Sequence, residues 1–324
     1  MATKMKIPEN WHKKVMTING LVSPNELGVV LPHEHLIIEG WDPGERNYLN
    51  SAFMEIVHFT KNGGKTIVDV TSIGMKRDIP FIKRLADHAN LQVIVGTGFY
   101  KGAWLPSKYR SMNVDELSNL MIGEIIDGIE KTGVHAGIIG EIGISRPITK
   151  LEEKILQASA IAQKCTGAAI SLHFEIGTEL EEYIHAIELL SKEKANLTKV
   201  IIGHLIPRPD NLQSYLEISK NGCWLEFDLF GQERRLLMKD LIQTDVDVQI
   251  SSIRGFIDNG LINQLLISQN VNHIDLMTVN SGDGYAHILK NVVPRFIDYG
   301  VNEEEINTIM KENPKRILPF DDYS

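Results

Sequence analysis

The hydrophobic pattern along the chain alternates between short apolar runs and longer amphipathic segments. Eight of the runs are nearly apolar on both faces and rich in β-branched residues, as parallel strands covered by helices are. The runs are Gly28–Leu31, Thr66–Val70, Gln92–Gly96, Ala136–Gly140, Ala168–Leu172, Lys199–Gly203, Cys223–Phe227 and Gln264–Ser268. Eight strand–helix repeats predict an α/β protein with a closed (β/α)8 barrel, the TIM barrel. A dinucleotide-binding open sheet is disfavoured because no GxGxxG motif follows the first run.

Capping signals mark where several amphipathic segments begin as helices. Each signal is an oxygen-bearing side chain at the start of the segment, in most cases with a glutamate three residues later. The predicted caps are Thr149 with Glu152, Thr178 with Glu181, Asn302 with Glu305, and Asn113. Helices of ordinary length therefore separate the predicted strands.

The organisation of the chain favours one domain over residues 1–324, because no linker, low-complexity tract or repeat interrupts it. Residues 15–28, before the first run, predict a small hairpin that extends the barrel at its N-terminus. The segment Gly231–Asp247 follows the seventh run and is hard to assign. Its position predicts a lid over an active site.

Composition and charge exclude several classes of protein. The chain has 324 residues, of which 43% are hydrophobic and 23% charged, and its net charge is -9. An acidic balance argues against a nucleic-acid partner. The two cysteines, Cys165 and Cys223, form no CxxC pattern, so neither a disulfide framework nor a thiolate metal site is expected. We find no signal peptide and no membrane-spanning apolar run, which predicts a cytoplasmic protein without a membrane partner.

Candidate metal ligands close several of the apolar runs. His33 and His35 follow the first run, two residues apart, so both side chains point to one face of an extended strand. Glu141 follows the fourth run, His173 the fifth and His204 the sixth. Working side chains of such barrels lie at the carboxyl ends of the strands. The HxH pair alone is equally typical of core or surface histidines, and the later strand ends give it weight.

These five residues predict a metal centre with two divalent cations. His33 and His35 would bind one cation, His173 and His204 the other, and Glu141 would bridge them; the alternative for Glu141 is a cap on the next turn. Nitrogen ligands with a carboxylate favour zinc, and manganese or cobalt next, over magnesium or calcium. Two such cations can hold a hydroxide at neutral pH for attack on an electrophile.

Several segments together resemble the phosphotriesterase family of the amidohydrolase superfamily, most of all its phosphotriesterase-related branch. The matching segments are INGLVSPNELGVVLPHEHL, VDVTSIGMKRDI, GTGFYKG, AGIIGEIGISRPITKLEEKILQASA, IIGHL, EFDLFG, SGDGYAHILKNVVPRF and ENPKRIL. The resemblance implies a (β/α)8 barrel with a binuclear centre. By position it puts the more buried cation on His33 and His35 and the more exposed one on His173 and His204. Glu141 would bridge them, where many relatives use a carboxylated lysine.

One position departs from the family pattern. The family has an aspartate at the end of strand eight, as metal ligand and proton acceptor, and Asn270 stands there in this chain. An amide oxygen is a poorer ligand and cannot accept the proton. Asn270 is therefore the candidate catalytic position. Ile206 and Pro207 likewise stand where the family has a carboxylate after the strand-six histidine.

Three explanations of Asn270 stay open. Another base could act in its place, such as Asp275, Asp283 or His273. The chain could instead be a homologue that binds metal and ligand with weak or no turnover, or Asn270 could be an introduced substitution. A Schiff-base aldolase is disfavoured because no run ends in lysine.

The sequence thus predicts a metal-dependent hydrolase that uses a metal-bound hydroxide on a small ester, lactone, phosphoester or N-acyl amide. Its partner would be a small-molecule substrate, and a homodimer is the default assembly of such enzymes. Five residues after strand ends are candidates for binding an anionic substrate group, although each is more typical of a solvated loop. They are Arg77, Tyr100, Lys101, Arg208 and Arg234.

Overall fold

Eight parallel strands form one sheet in the computed structural model, which describes residues 6–38, 46–233, 235 and 245–321. The order of the strands in the sheet follows their order in the sequence, with the first strand at one edge and the last at the other. The strands are β3 Val29–Glu34, β4 Gly64–Asp69, β5 Gln92–Thr97, β6 Ile138–Ile144, β7 Ile170–Phe174, β8 Val200–Ile202, β9 Trp224–Phe227 and β10 Leu265–Ile267. Each of the eight predicted runs overlaps one of these strands. Most of the predicted lid, Gly231–Asp247, lies outside the described residues.

The sheet closes into a barrel where its last strand meets its first. The His33 N–H donates to Ser268 Oγ at 3.1 Å, and the Asn270 N–H donates to the His33 carbonyl at 3.2 Å. These bonds join the end of β10 to β3 without a paired ladder. The structure therefore confirms the (β/α)8 barrel.

A short antiparallel hairpin precedes the barrel, as the sequence predicts. Its strands are β1 Val15–Thr17 and β2 Gly20–Val22. Val15 is buried in one cluster with Val30 and Ile94, whose side chains fill the barrel interior. The Ile18 N–H donates to the Val93 carbonyl at 2.7 Å, which fixes the hairpin to the barrel. The hairpin thus plugs the amino end of the barrel.

Helices cover the outside of the sheet. They are α1 Arg46–Lys61, α2 Ile79–Ala89, α3 Ser107–Arg110, α4 Val114–Ile126, α5 Lys150–Thr166, α6 Leu180–Lys192, α7 Leu212–Ser219, α8 Val246–Asp258, α9 Val293–Asp298, α10 Glu303–Asn307 and α11 Asn313–Ile317. Wider π-helical turns, Ile288–Val292 and Thr308–Glu312, lead into α9 and α11. None of the described helices combines the length and apolar character that crossing a bilayer requires.

The predicted helix caps are confirmed at three of four positions. Capping boxes begin α4 at Asn113, α5 at Thr149 and α10 at Asn302. The predicted box of Thr178 with Glu181 is wrong. The Thr178 hydroxyl donates to the Glu175 carbonyl at 2.7 Å, and α6 begins one residue later behind Glu179. Threonine can bond a preceding carbonyl instead of a following N–H, and a turn here takes that choice.

Two apolar layers hold the barrel together. The inner layer takes alternate strand residues, among them Val30, Val68, Ile94, Ile201 and Leu266, all buried. The outer layer takes the strand residues between them and packs them against the helices. Polar residues replace the inner layer toward the carboxyl ends of the strands.

Candidate metal centre

The five predicted ligands come together at the carboxyl end of the barrel. His33 lies in β3, and His35 directly follows the end of that strand. Glu141 lies in β6, His173 in β7 and His204 just beyond β8. All five side chains are buried. The structure therefore brings the five predicted ligands together, although they are far apart in the chain.

An irregularity in β3 turns His33 toward the barrel interior. Val30 faces the interior, so strict alternation would turn His33 outward. The pairing of β3 with β4 shifts register between Leu31 and Glu34, which resets the alternation. The register of β6 against β7 also shifts next to Glu141. Bulges of this kind re-aim side chains near functional sites.

The Glu141 carboxylate lies at the centre of the histidines. Its Oε2 atom is 3.3 Å from His33 Nε2 and contacts His173 Nδ1, and its Oε1 atom is 3.3 Å from His35 Nε2. The His204 ring lies 3.9 Å from the His173 ring. One ligand atom from each of His33, Glu141, His173 and His204 can be chosen so that all four lie within 4.8 Å of one another. This spacing is that of ligands around a shared cation site.

A second partner holds the outward nitrogen of each imidazole. Such partners fix the ring orientation of metal-binding histidines. The pairs are His33 Nδ1 with Glu226 Oε2 at 2.9 Å, His35 Nδ1 with Thr71 Oγ1 at 2.9 Å, His173 Nε2 with Tyr100 Oη at 3.2 Å, and His204 Nδ1 with Asp228 Oδ2 at 3.1 Å. In each ring the other nitrogen points toward the centre.

The electrostatics of the site favour, for most of these groups, the deprotonated form that can bind a metal ion. Burial lowers the pKa of His35 to about 4, and burial together with the neighbouring His204 lowers the pKa of His173 to about 3. Both imidazoles are therefore neutral at pH 7, as a metal ligand must be. Burial opposes ionisation of Glu141, but the contacts with His173, His33 and His35 outweigh it and hold the pKa well below its usual range.

His33 differs from the other histidines. Burial disfavours its charged form, yet Asp228, Glu141 and Glu226 surround it and raise its pKa well above the usual value. Without a cation, a proton on His33 balances this negative charge. A cation would take over that role and displace the proton.

Orphaned polar atoms show that the site fits a cation. His33 Nε2, Glu141 Oε1 and Asn270 Oδ1 are buried and lack a hydrogen-bond partner. Leaving one such atom unpaired costs about 1–3 kcal/mol. A divalent cation would satisfy all three, and imidazole with carboxylate suits zinc, manganese or cobalt.

Asn270 belongs to the same centre. It has a φ of 50° and lies just beyond β10, and its Nδ2 atom is 3.0 Å from His204 Nε2. Asparagine tolerates this left-handed conformation better than most residues. The structure thus places the candidate catalytic residue against a predicted ligand, with its amide oxygen unpaired.

Two buried side chains that the sequence reasoning missed hold the backbone around Asn270. The Glu34 carboxylate accepts hydrogen bonds from the Gln269 N–H at 2.9 Å and the Val271 N–H at 2.7 Å. Gln232 Nε2 donates to the Asn270 carbonyl at 2.7 Å. Glu34 lies between the two histidines of the HxH pair, and this position was the one available signal for it.

The three alternative bases contact side chains other than the predicted ligands. His273 is 3.2 Å from Asp275, and Asp283 is 3.3 Å from His287. Within the described part of the chain, no hydrogen bond or ion pair joins His273, Asp275 or Asp283 to the histidines of the centre. Their present positions give no support to a role as the base.

The candidates for binding an anionic group have different surroundings. Arg77 forms a buried ion pair with Glu124, and Lys101 pairs with Glu175 at 3.0 Å. Arg208 pairs with Asp210 at 2.6 Å on the rim. Tyr100 touches a predicted ligand, through its contact with His173. Arg234 lies outside the described residues.

A cavity of about 260 Å³ opens beside His204. The segment that leads into α6 and the segment after β8 form its walls, and Tyr183 and Tyr215 line its depth. Arg208 lies at its edge. The cavity gives a small molecule access to one side of the candidate centre.

Comparisons with known proteins agree with this geometry. The sequence profile of the phosphotriesterase family matches residues 13–318. The N-acetyltaurine hydrolase of Homo sapiens is 32% identical over 344 residues, which cover 95% of this chain and 98% of the relative.

Solved structures also align over nearly the whole chain. A resiniferatoxin-binding protein from Rhodobacter sphaeroides superposes with a TM-score of 0.90 at 26% identity, covering 99% of this chain and 98% of that one. A lactonase from Listeria monocytogenes superposes with a TM-score of 0.83 at 25% identity, covering 95% of this chain and 100% of that one. The extent of the profile match and of these alignments shows that the chain belongs to the phosphotriesterase family, as a hydrolase of that family.

Proposed function

We propose that this chain is a metal-dependent hydrolase that cleaves a small N-acyl amide. The observation that carries the proposal is the convergence of buried histidines on Glu141. The His33, His173 and Glu141 side chains cluster with His204, His35 contacts the Glu141 carboxylate, and buried atoms of His33 and Glu141 lack hydrogen-bond partners. The choice of bond is supported by the human relative, an amide hydrolase similar over 95% of the chain. A lactone is the second candidate, supported by the structural likeness to a lactonase. Either substrate presents a carbonyl carbon for attack.

We propose that the centre holds two divalent cations, with zinc as the favoured metal. The two carboxylate oxygens of Glu141 face different histidines, Oε1 toward His35 and Oε2 toward His33 and His173. Each oxygen could therefore bind a cation, which supports a bridging role. His33 and His173 share Oε2, so the division differs from the predicted pairing of His33 with His35. Bound cations would polarise the scissile carbonyl and activate water for attack.

The residues around the centre orient the substrate. The cavity beside His204 would take the part of the substrate away from the reacting carbonyl, because among its described lining residues His204 is the one predicted ligand. Its volume suits a small molecule. Binding of that part holds the carbonyl in place, which is a large component of catalysis.

The direct experiment is metal analysis combined with a hydrolysis assay. Protein produced with zinc or manganese is expected to retain about two cations per chain and to release amine from N-acetyltaurine. A γ-lactone assay measures the second candidate. Chelation should abolish the activity and cation return should restore it. Protein that binds no divalent cation under these conditions contradicts the proposal.

Turnover by the unmodified chain also decides between a hydrolase and a binding homologue. Asn270 cannot accept a proton through its amide oxygen as a carboxylate does. Measurable hydrolysis of an amide or a lactone by the native sequence rules out the binding-only interpretation. Metal binding without turnover, followed by activity in an Asn270→Asp variant, would support it.

We further propose that residues 1–324 form one domain. The cytoplasmic location and the homodimer expected from the sequence stay predictions. Size-exclusion chromatography with light scattering measures the assembly directly.

A further inference from the structure

Two buried carboxylates lie directly behind the candidate metal centre. Glu226 lies in β9 and Asp228 follows the end of that strand. Both side chains are fully buried, and neither was singled out by the strand-end pattern. A buried carboxylate is costly unless a cation or several donors compensate it.

Asp228 connects histidines from the two sides of the centre. Its Oδ2 atom lies 3.0 Å from His33 Nδ1 and 3.1 Å from His204 Nδ1. The His204 N–H also donates to both Asp228 oxygens, at 3.2 and 3.1 Å. One carboxylate therefore fixes the orientation of two candidate ligands whose own strands are far apart in sequence.

Glu226 adds a second negative charge at the same point. Its Oε2 atom lies 2.9 Å from His33 Nδ1, and its Oε1 atom is buried without a hydrogen-bond partner. An apolar side chain would leave no unpaired oxygen at this position. The carboxylate is thus explained better by its charge than by the number of hydrogen bonds that it satisfies.

The backbone leaves room for this acidic pair. A Cβ atom on Gly203 would lie 3.1 Å from Asp228 Oδ2, 3.3 Å from Glu226 Oε2 and 2.9 Å from the Leu172 carbonyl oxygen. A glycine just before His204 lets both carboxylates approach the ligand layer. Any side chain at this position would press on them.

The charge balance between bound cations and nearby carboxylates suggests a role for this acidic pair. Glu141 is the carboxylate that clusters with His33, His173 and His204, and the Asn270 side chain beside His204 is neutral. Two divalent cations would carry four positive charges. Beyond Glu141, negative charge is supplied from behind the histidines, by Glu226 and Asp228.

We propose that Glu226 and Asp228 are positioning residues that orient His33 and His204 and supply the negative charge that Asn270 does not. This inference rests on the metal site of the proposed function. It concerns how tightly the chain holds cations, and it applies to either substrate.

Zinc affinity tests the inference in single variants. Asp228→Asn and Glu226→Gln keep the side-chain size and remove the charge. Each is expected to weaken Zn²⁺ binding about 10–100-fold, measured by competition with a chromophoric chelator. Glu55→Gln is the matched control, because Glu55 is a buried carboxylate that bonds Thr278 and touches no ligand. The control should bind Zn²⁺ as the native chain does.

A second-site change separates charge from packing. Asn270→Asp should restore most of the Zn²⁺ affinity lost in Glu226→Gln, and should raise affinity less in the native chain than in that background. The absorption spectrum of the Co²⁺-loaded protein should shift in Asp228→Asn, because the two imidazoles lose their common anchor. A merely structural role in packing predicts neither result.

The outcomes distinguish this inference from the proposed function. Native protein that binds no Zn²⁺ contradicts the proposed function. Native protein that binds Zn²⁺ while both acidic variants, folded by circular dichroism, bind it equally well overturns the inference alone. If Asn270→Asp raises Zn²⁺ affinity equally in the native chain and in Glu226→Gln, the charge component of the inference is wrong.

Discussion

The two ends of the barrel are built from the same strands and differ in almost every other respect. At the amino end, Val30, Ile94 and Leu266 pack with Val15 of the hairpin in a fully apolar cluster. At the carboxyl end, the strands lead into histidines and carboxylates that are equally buried. Burial alone therefore does not distinguish the ends. The kind of group that is buried distinguishes them.

At the carboxyl end, two residues of the centre adopt left-handed backbone, a conformation that Asn90 and Lys194 also adopt in connections at the amino end. His204 and Asn270 have φ values of 59° and 50°, in the left-handed region that non-glycine residues rarely adopt. Such conformations cost about 1–3 kcal/mol each and cluster at functional sites. The apolar packing at the amino end therefore stabilises the fold, whereas the carboxyl end holds polar groups in fixed positions at a cost in folding free energy.

The largest effect on stability is expected from the amino end. Ile94→Ala should lower the free energy of unfolding by about 2–5 kcal/mol, because it leaves a cavity in the inner layer. Urea unfolding of the metal-free protein measures the loss. Zn²⁺ affinity should stay within about 2-fold of the native value, because Ile94 packs in the apolar cluster and touches no predicted ligand. A 2-fold change in affinity corresponds to less than about 0.5 kcal/mol of binding free energy. A large drop in affinity would show that the two ends are coupled.

The reverse result is expected at the carboxyl end. Glu141→Gln should weaken Zn²⁺ binding by more than about 100-fold, beyond the range of groups that only support a ligand. The loss should abolish hydrolysis and the rise in melting temperature that Zn²⁺ gives the native protein. Scanning calorimetry with and without Zn²⁺ measures the rise in melting temperature, and the hydrolysis assay measures the loss of activity. Retention of that rise would remove Glu141 from the ligand set.

A smaller effect compares two threonines near the carboxyl end. Thr149 caps α5 through its side chain, whereas Thr178 bonds a preceding carbonyl and caps no helix. Thr149→Ala should lower the free energy of unfolding by about 0.5–2 kcal/mol. Thr178→Ala should have less effect and is the matched control. Equal losses in urea unfolding would contradict the observed start of α6.

A further effect concerns the pH dependence of stability at the amino end. Burial lowers the pKa of Lys199 to about 8, while its ammonium donates to the Ile317 and Pro319 carbonyls. The unfolded lysine titrates near 10.4. Because the unfolded chain binds more protons between these values, the free energy of unfolding should gain a contribution that rises from about pH 8 to 10. Lys199→Met should remove this rise, and a native-like pH slope in the variant would refute the assignment.

Much of the fold is predictable because it depends on local patterns. Apolar runs and capping boxes report on neighbouring residues, and each predicted run overlaps a strand. Thr178 shows the limit, because one threonine hydroxyl can bond forward or backward with similar energy. The strand-end rule also gave the five candidate ligands, since strand order fixes where those ends meet.

The supporting residues of the centre depend on contacts that no local pattern contains. Glu226 and Asp228 reach His33 across more than half the sequence, and Glu34 bonds the chain beyond β10. Their partners become neighbours only when the sheet closes. The register shift that turns His33 inward likewise depends on pairing with β4.

By itself the sequence determined the barrel, the hairpin before it and the residue types of a metal centre, because periodicity and strand-end chemistry are properties of the chain. The tertiary structure alone decided which nitrogen of each imidazole faces the centre and what surrounds Asn270. Those features depend on hydrogen-bonding contacts between side chains from strands that are remote in sequence. Only closure of the barrel brings these side chains within hydrogen-bonding distance.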